Sequence, residues 1–326
     1  MDFVSLIENA MRELVSPAAA AYVLAAIGLS VHFGYAGLLN FGMAGFMAIG
    51  AYGYAIASLL LGFNALMAAL FAIILAIIFS FILGIPTLRL RGDYLAIVTI
   101  AAAEIVRYVV MTTGMTPITR GSQGMSGYQT DFNALNPLPA GNYGFWVWEA
   151  GATGTWMRIV AWSIVILVTL LVFFLMRSPW GRVLKGIRED EDAVRSLGKN
   201  VWSYKMQALI LGGVIGAVAG IIFVLPSNVQ PVAFMPTLTF FVWTALLLGG
   251  AATVFGPIVG GVLFWVLFSL TQGIVGALQA SGVFGALPPS QAGQLRFVLV
   301  GIALMLIVIY RPQGIFGNKK ELSFNV

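Results

Sequence analysis

Between residues 18 and 310 the chain passes through one apolar stretch after another with almost no charge to interrupt them, and this pattern leaves few folds open. A helix needs about 20 apolar residues to cross roughly 30 Å of hydrocarbon. Nine such stretches are legible, near 18–36, 41–62, 65–85, 94–111, 156–176, 206–225, 238–252, 257–278 and 296–310. The expectation is an all-α polytopic membrane protein with about nine transmembrane helices, eight to ten by this reading, forming one transmembrane domain over residues 1–326. Only 9% of the residues are charged, against about 25% in an ordinary soluble domain. The 38 glycines agree, because small residues let membrane helices approach closely where water supplies no hydrophobic drive.

Cysteine is absent, which removes disulfides and thiolate catalysis, and the single histidine, His32, cannot build a histidine metal centre, so no metal site is expected. The net charge of +5 does not argue for nucleic acid, since the basic residues gather beside apolar spans, where they report orientation. The opening "MDFVSLIENAMRELVSP" carries acidic residues instead of a basic n-region, and reads as an amphipathic lead-in helix and not a cleaved signal.

Alternating sides from span to span places "RLR" at 89–91, the segment 177–205 and the tail "RPQGIFGNKKE" on one face, with twelve of the 17 Lys and Arg. That face should be cytoplasmic, with the N-terminus outside and the C-terminus inside. The other face receives the loops 226–236 and 279–294 and the external loop 112–155, which is long and rich in Gly, Pro and Asn. Its "GSQGMSG" lacks the Lys-Ser or Lys-Thr of a phosphate-cradling loop, and G-x-x-x-x-G-K-[ST] occurs nowhere in the chain. If transport needs ATP, another subunit must hydrolyse it, and no cofactor is expected on this chain.

Two glycine-rich stretches interrupt the spans in related ways, "GYAGLLNFGMAGF" at 34–46 and "GGAATVFGPIVGG" at 249–261, each with a Phe-Gly step. They suggest an inverted repeat of units 18–111 and 206–310 with glycine-broken helices, and make Asn40, Gly42 and Gly256 candidate translocation-path residues. The plainer reading is that these glycines serve tight helix packing. In "GDYLAIVTIAAAEIVRY", Glu104 lies near mid-bilayer with Arg107 one turn on, so the pair offsets itself at i, i+3. It is either a polar contact along the path or a self-neutralised lock between helices. Asp93 reads as the N-cap of that helix, and His32 as a packed or hydrogen-bonded residue.

The densest charge lies in "RSPWGRVLKGIREDEDAVRSLGKNVW", 177–202. Residues 183–197 read as one helix with Val183, Ile187, Val194 and Leu197 on one side, Glu189, Asp190, Glu191 and Asp192 in its earlier part, Arg195 and Lys199 near its end, and Gly198 as its stop. This suits a docking helix in a cytoplasmic coupling loop, 177–205. Its candidate ATPase-coupling residues are Arg188, Glu189, Asp190, Glu191, Asp192, Ala193, Val194, Leu197 and Gly198.

Together "GYAGLLNFG" (34–42) with "IGAY" (49–52), "LRLRGDYLAIVTIAAAEIVR" (88–107), "SPWGRVLKGIREDEDAVRSLGKN" (178–200) with "YKMQALILGG" (204–213) and "YRPQGIFG" (310–317) resemble the permease subunits of ATP-binding-cassette importers for branched-chain amino acids, the LivM-like branch. The resemblance covers almost the whole chain. Asp192, Ala193 and Val194 followed by Gly198 are similar to a degenerate form of the Glu-Ala-Ala-x-x-x-Gly cytoplasmic motif of importer permeases. Met43 stands where many relatives carry a polar residue such as His or Gln. The resemblance implies a second homologous permease, two ATP-binding subunits, an external substrate-binding protein and an amino-acid substrate, in the bacterial inner membrane. Three alternatives stay open at this point: a urea or amide permease of the same family, an ion-coupled secondary transporter, which would want unpaired acidic residues in its spans, and a membrane-embedded enzyme, which would want a His, Asp or Glu cluster near one interface.

Overall fold

The computed structural model describes residues 3–88, 92–280, 294–311 and 313–317. The "RLR" at 89–91, almost all of the loop 279–294 and the tail beyond 317 lie outside the described residues.

The lead-in helix is α1, Phe3–Glu13. Ser16 accepts a hydrogen bond from the Ala19 amide and Pro17 takes the first helical position, so α2 starts cleanly at Pro17–Leu29. It runs on as a π-turn, Ser30–Tyr35, before the chain leaves helical geometry at 36–42. Then come α3 (Met43–Leu59), α4 (Ala65–Thr87) and α5 (Gly92–Met111). Asp93 therefore belongs to the first turn of α5 instead of preceding it; its side chain lies outside the described residues. A segment of short turns ends in a two-residue hairpin, β1 (Asn142–Tyr143) against β2 (Ala150–Gly151). It leads to α6 (Ala152–Arg177), α7 (Pro179–Glu189), α8 (Glu191–Ser196) and α9 (Val201–Val224). The chain continues through α10 (Pro236–Gly249), α11 (Gly256–Ala280) and α12 (Leu295–Tyr310).

Each of the nine apolar stretches holds a helix. Among the described residues six of these are long and apolar enough to cross a membrane: Pro17–Tyr35, Ala65–Thr87, Tyr94–Met111, Ala152–Arg177, Val201–Val224 and Gly256–Gln279. The protein is a multi-pass α-helical membrane protein, and three of the nine helices, Met43–Leu59, Pro236–Gly249 and Leu295–Tyr310, fall short of that length among the described residues. The shortfall has a local cause. The glycine breaks fall between helices instead of inside them, and they shorten α3 to 17 residues and α10 to 14. Fourteen residues rise about 21 Å, less than the roughly 30 Å of the bilayer core, and the chain leaves helical geometry at 250–255.

The core is built around α2, whose residues Ala19 to Leu29 are all buried. It packs backbone to backbone on α9: a Cβ on Gly28 would lie 2.6 Å from the Gly212 carbonyl oxygen, and one on Gly212 would lie 2.5 Å from that of Gly28. α3 meets α9 in the same manner, through Gly50 against Ala217 and Gly220 against Met47. α4 and α6 stand outside this core and turn Leu66, Leu70, Ile74, Ile166, Leu167 and Phe174 outward.

The bundle has two distinct ends. At one, Arg12 Nε donates to the Val147 carbonyl at 3.0 Å and Trp148 Nε1 to that of Met11 at 2.8 Å, tying α1 to the hairpin segment. At this same end Tyr128 donates to the Val224 carbonyl at 2.6 Å; burial raises its pKa and keeps the phenol a donor. The other end carries α7, α8 and both glycine breaks.

Candidate coupling site

The charged stretch folds as a helical hairpin, not the single helix expected over 183–197. Asp190 is extended (φ −153°, ψ 104°), and its carboxylate accepts from the amides of Asp192 and Ala193, each at 3.0 Å. An aspartate that captures backbone amides competes with helix continuation, so α7 stops at Glu189 and α8 starts anew. Each acidic side chain of the run has a partner. Glu189 pairs with Arg188 at 2.5 Å, Glu191 with Arg195 at 2.8 Å and with Lys205 of α9, and Asp192 with Arg195 at 2.9 Å. Gly198 ends α8 with φ +75°, the left-handed stop that its position suggested.

The apolar side chains of this hairpin divide. Leu184 and Ile187 of α7 are buried, and Val194 turns back onto α7, its Cγ2 3.1 Å from where a Cβ on Gly186 would sit. Leu197 is 78% exposed. Val194 and Leu197 therefore do not share one docking face: the turn at Asp190 rotates α8 relative to α7 and leaves Leu197 outermost.

Arg188 links this hairpin to the first glycine break. Its guanidinium donates to the Gly34 carbonyl in the π-turn, and its stem lies over Gly37, where a Cβ would sit 3.2 Å from Arg188 Cγ. Lys185 adds a cation near the Tyr35 ring, 5.8 Å from its centroid.

Beyond Gly37 the chain around the break is held by its own Asn40 and by side chains of the π-turn, α5 and α10. His32 Nε2 lies 3.0 Å from the Leu209 carbonyl and His32 Nδ1 3.0 Å from the Asn40 amide nitrogen. A carbonyl can only accept and an amide NH₂ can only donate, so the ring is neutral with its proton on Nε2. Asn40 Oδ1 accepts from the Gly42 amide at 2.7 Å, Thr99 Oγ1 of α5 from that of Phe41 at 3.0 Å, and Thr239 Oγ1 of α10 from that of Ala44 at 2.9 Å. Trp243 donates to the Asn40 carbonyl at 3.1 Å and stacks on Phe41, the ring centroids 4.7 Å apart. Exposed backbone at membrane depth has to be satisfied by neighbours, and here it is.

The second break packs directly on the first. A Cβ on Gly34 would lie 2.5 Å from the Ala252 nitrogen, and Ala252 itself is left-handed, φ +66°. The Ile315 and Phe316 amides donate to the Leu248 and Gly249 carbonyls, both at 3.0 Å, so the "GIFG" turn closes the end of α10. Thr253 Oγ1 accepts from the Gly256 amide at 3.0 Å and opens α11.

Asn40, Gly42, Gly256 and Arg188 thus converge on one end of the bundle. Glu104 and Arg107 do not join them; they form a bidentate pair farther along α5, with Arg107 Nε to Oε1 at 2.9 Å and Nη2 to Oε2 at 2.6 Å.

A family profile described as "Branched-chain amino acid transport system / permease component" matches residues 14–309. The chain belongs to this permease family. The permease is 30% identical over 305 residues to the high-affinity branched-chain amino acid transport system permease protein LivM of Salmonella typhimurium, covering 90% of this chain and 67% of the relative. It is 29% identical over 263 residues to the probable branched-chain amino acid transport permease protein LivM of Methanocaldococcus jannaschii, covering 77% and 69%. To the permease protein BraD of Pseudomonas aeruginosa it is 27% identical over 312 residues, covering 91% and 92%.

Several residues that hold the permease's breaks together escape a reading of the sequence: Thr99, Thr239 and Trp243 as clamps, and Ala252 as the left-handed contact. The available signal was weak, namely hydroxyl residues and an indole N–H inside apolar spans, where a buried polar group needs a partner.

Proposed function

We propose that this permease is one transmembrane subunit of an ATP-driven importer for branched-chain or other neutral amino acids in the bacterial inner membrane. It forms half of the translocation path beside a second homologous permease. Two cytoplasmic ATPase subunits bind and hydrolyse the ATP, and an external substrate-binding protein delivers the substrate. Met43–Leu59, Pro236–Gly249 and Leu295–Tyr310 complete nine crossings in this reading, with the N-terminus outside and the C-terminus in the cytoplasm.

One observation carries the reading: Arg188, rooted in the charged hairpin, grips Gly34 at the lip of the first break, and Gly34 in turn rests on Ala252 of the second. A hairpin displaced by a closing ATPase pulls on both breaks through this contact, which is how chemistry outside the chain changes access inside it. An ion-coupled carrier is disfavoured, because Glu104, the acidic residue well inside a described span, is occupied by Arg107.

The test is ATP-dependent uptake of leucine, with urea as a parallel substrate, by proteoliposomes holding the complete importer. Leucine uptake that requires ATP supports the reading; uptake driven by an ion gradient without the ATPases overturns it. Orientation is read separately in a chain without native cysteine. A reagent confined to the outside should label cysteines placed at Ser126 or Asn142 and spare one at Ser196, and the reverse pattern would invert the topology.

A further inference from the structure

Glu104 sits toward the middle of α5, where a membrane helix tolerates charge least, and Arg107 lies one turn nearer its C-terminal end. Glu104 is about 18 Å along α5 from Gly92, at 1.5 Å per residue, and about 10 Å from its other end at Met111. The Arg107 side chain is 10% exposed, whereas that of Glu104 keeps 24%. Glu104 borders the outward face of α5, where Ile97, Ala101, Ile105 and Tyr108 are exposed. A face that mixes apolar side chains with a part-exposed carboxylate suits neither plain hydrocarbon nor plain water.

The pair is also incompletely used. Arg107 spends Nε and Nη2 on Glu104 and lays one face of its guanidinium over the Tyr108 ring, 4.4 Å from the centroid, but its Nη1 meets the Met111 sulfur at 3.5 Å, a weak acceptor for a charged donor. Each Glu104 oxygen accepts one of these bonds and retains a lone pair for another donor. A molecule with an ammonium and a carboxylate on one carbon complements what is left over.

We infer that Glu104 and Arg107 recognise the zwitterionic head of the transported amino acid as it passes along α5. The ammonium meets Glu104, the carboxylate meets Arg107, and the apolar side chain lies over Ala101 and Ile105, one face of the Tyr108 ring being covered by the guanidinium. The ion pair stays closed, and the zwitterion lies alongside it head to tail, so neither its charges nor those of the helix go unpartnered inside the membrane. This rests on the importer reading and adds the substrate contact within the path.

The experiment uses the assembled importer in proteoliposomes. Ala101→Cys places the chain's single thiol one turn before Glu104 on the exposed face. A charged, membrane-impermeant thiosulfonate reagent should modify it, and saturating leucine during turnover should slow modification several-fold. Glu104→Gln and Arg107→Gln should lower leucine uptake at least tenfold with ATP hydrolysis retained, and Arg107→Lys should recover part of it. No modification of Ala101→Cys, or modification indifferent to leucine, overturns the proposal, as does wild-type uptake by Glu104→Gln. If the Gln variants fail to assemble, protection of Ala101→Cys by leucine decides. Failure of the importer reading looks different: the wild-type proteoliposomes then take up no leucine at all.

Discussion

The two helices of the charged hairpin are adjacent in sequence and opposite in attachment. α7 buries Gly181, Leu184 and Ile187, ties Trp180 to Gln207 of α9 at 2.8 Å, and sends Arg188 into the glycine break. α8 buries no residue, and Leu197, at its C-terminal cap, points outward. The sequence between them changes little in charge density, so the difference lies in which residues find a partner in the bundle. A lever needs a fixed half and a free half. α7 is fastened to the elements that would move, and the outer side of α8, with Leu197, is left uncovered among the described residues.

The contrast is open to attack from its strongest side first. Leu184→Ala removes a fully buried side chain of α7 and should cost about 2 to 5 kcal/mol, read as a lowered thermal midpoint of the detergent-purified permease. Arg188→Gln should cost less, about 1.5 to 3 kcal/mol for a lost charged hydrogen bond, and should leave ATPase subunits bound while uptake falls, so that hydrolysis and transport separate. Gly198→Val forces a branched side chain into a left-handed turn at about 1 to 2 kcal/mol, with weakened co-purification of the ATPase as the readout. Leu197→Ala should shift stability by less than about 0.5 kcal/mol yet loosen ATPase binding by about 1 to 4 kcal/mol. Equal thermal losses for Leu184→Ala and Leu197→Ala would erase the distinction between the halves. Val194→Asp is a poorer probe of docking than the apolar pattern suggested, because Val194 packs inside the hairpin.

Helix content was legible because twenty-residue apolar runs force the backbone to satisfy itself, and all nine runs became helices. The Glu104–Arg107 pair and the Gly198 stop were legible for a similar reason: both depend on residues within a turn of each other. The break at Asp190 was not, since four consecutive acidic residues carry no mark of where a helix stops, and only the capping geometry shows which aspartate left the helix. Nor were the contacts that make the site. Arg188 and Gly34 are 154 residues apart, Thr239 and Ala44 are 195 apart, and one sequence carries no record of which distant residues meet. α3 was overestimated, 41–62 against Met43–Leu59, because its flanking residues, Gly42 and Gly62 among them, are apolar enough to extend a hydropathy window, whereas α10 was only displaced by two or three residues, 238–252 against Pro236–Gly249.

The burial of α2 bears on how the protein is made. It leaves the ribosome well before α9 and α11, yet it packs on both, and their residues emerge some two hundred positions later. At about 5 to 20 residues per second, α2 waits roughly 10 to 40 s for the first of these neighbours. Throughout that interval its small-residue face, where Gly28 is shaped for another backbone, has to be sheltered by lipid or by the insertion machinery. A helix synthesised early is therefore enclosed late, and a truncated nascent chain ending before Val201 should expose Gly28 and its neighbours to the bilayer.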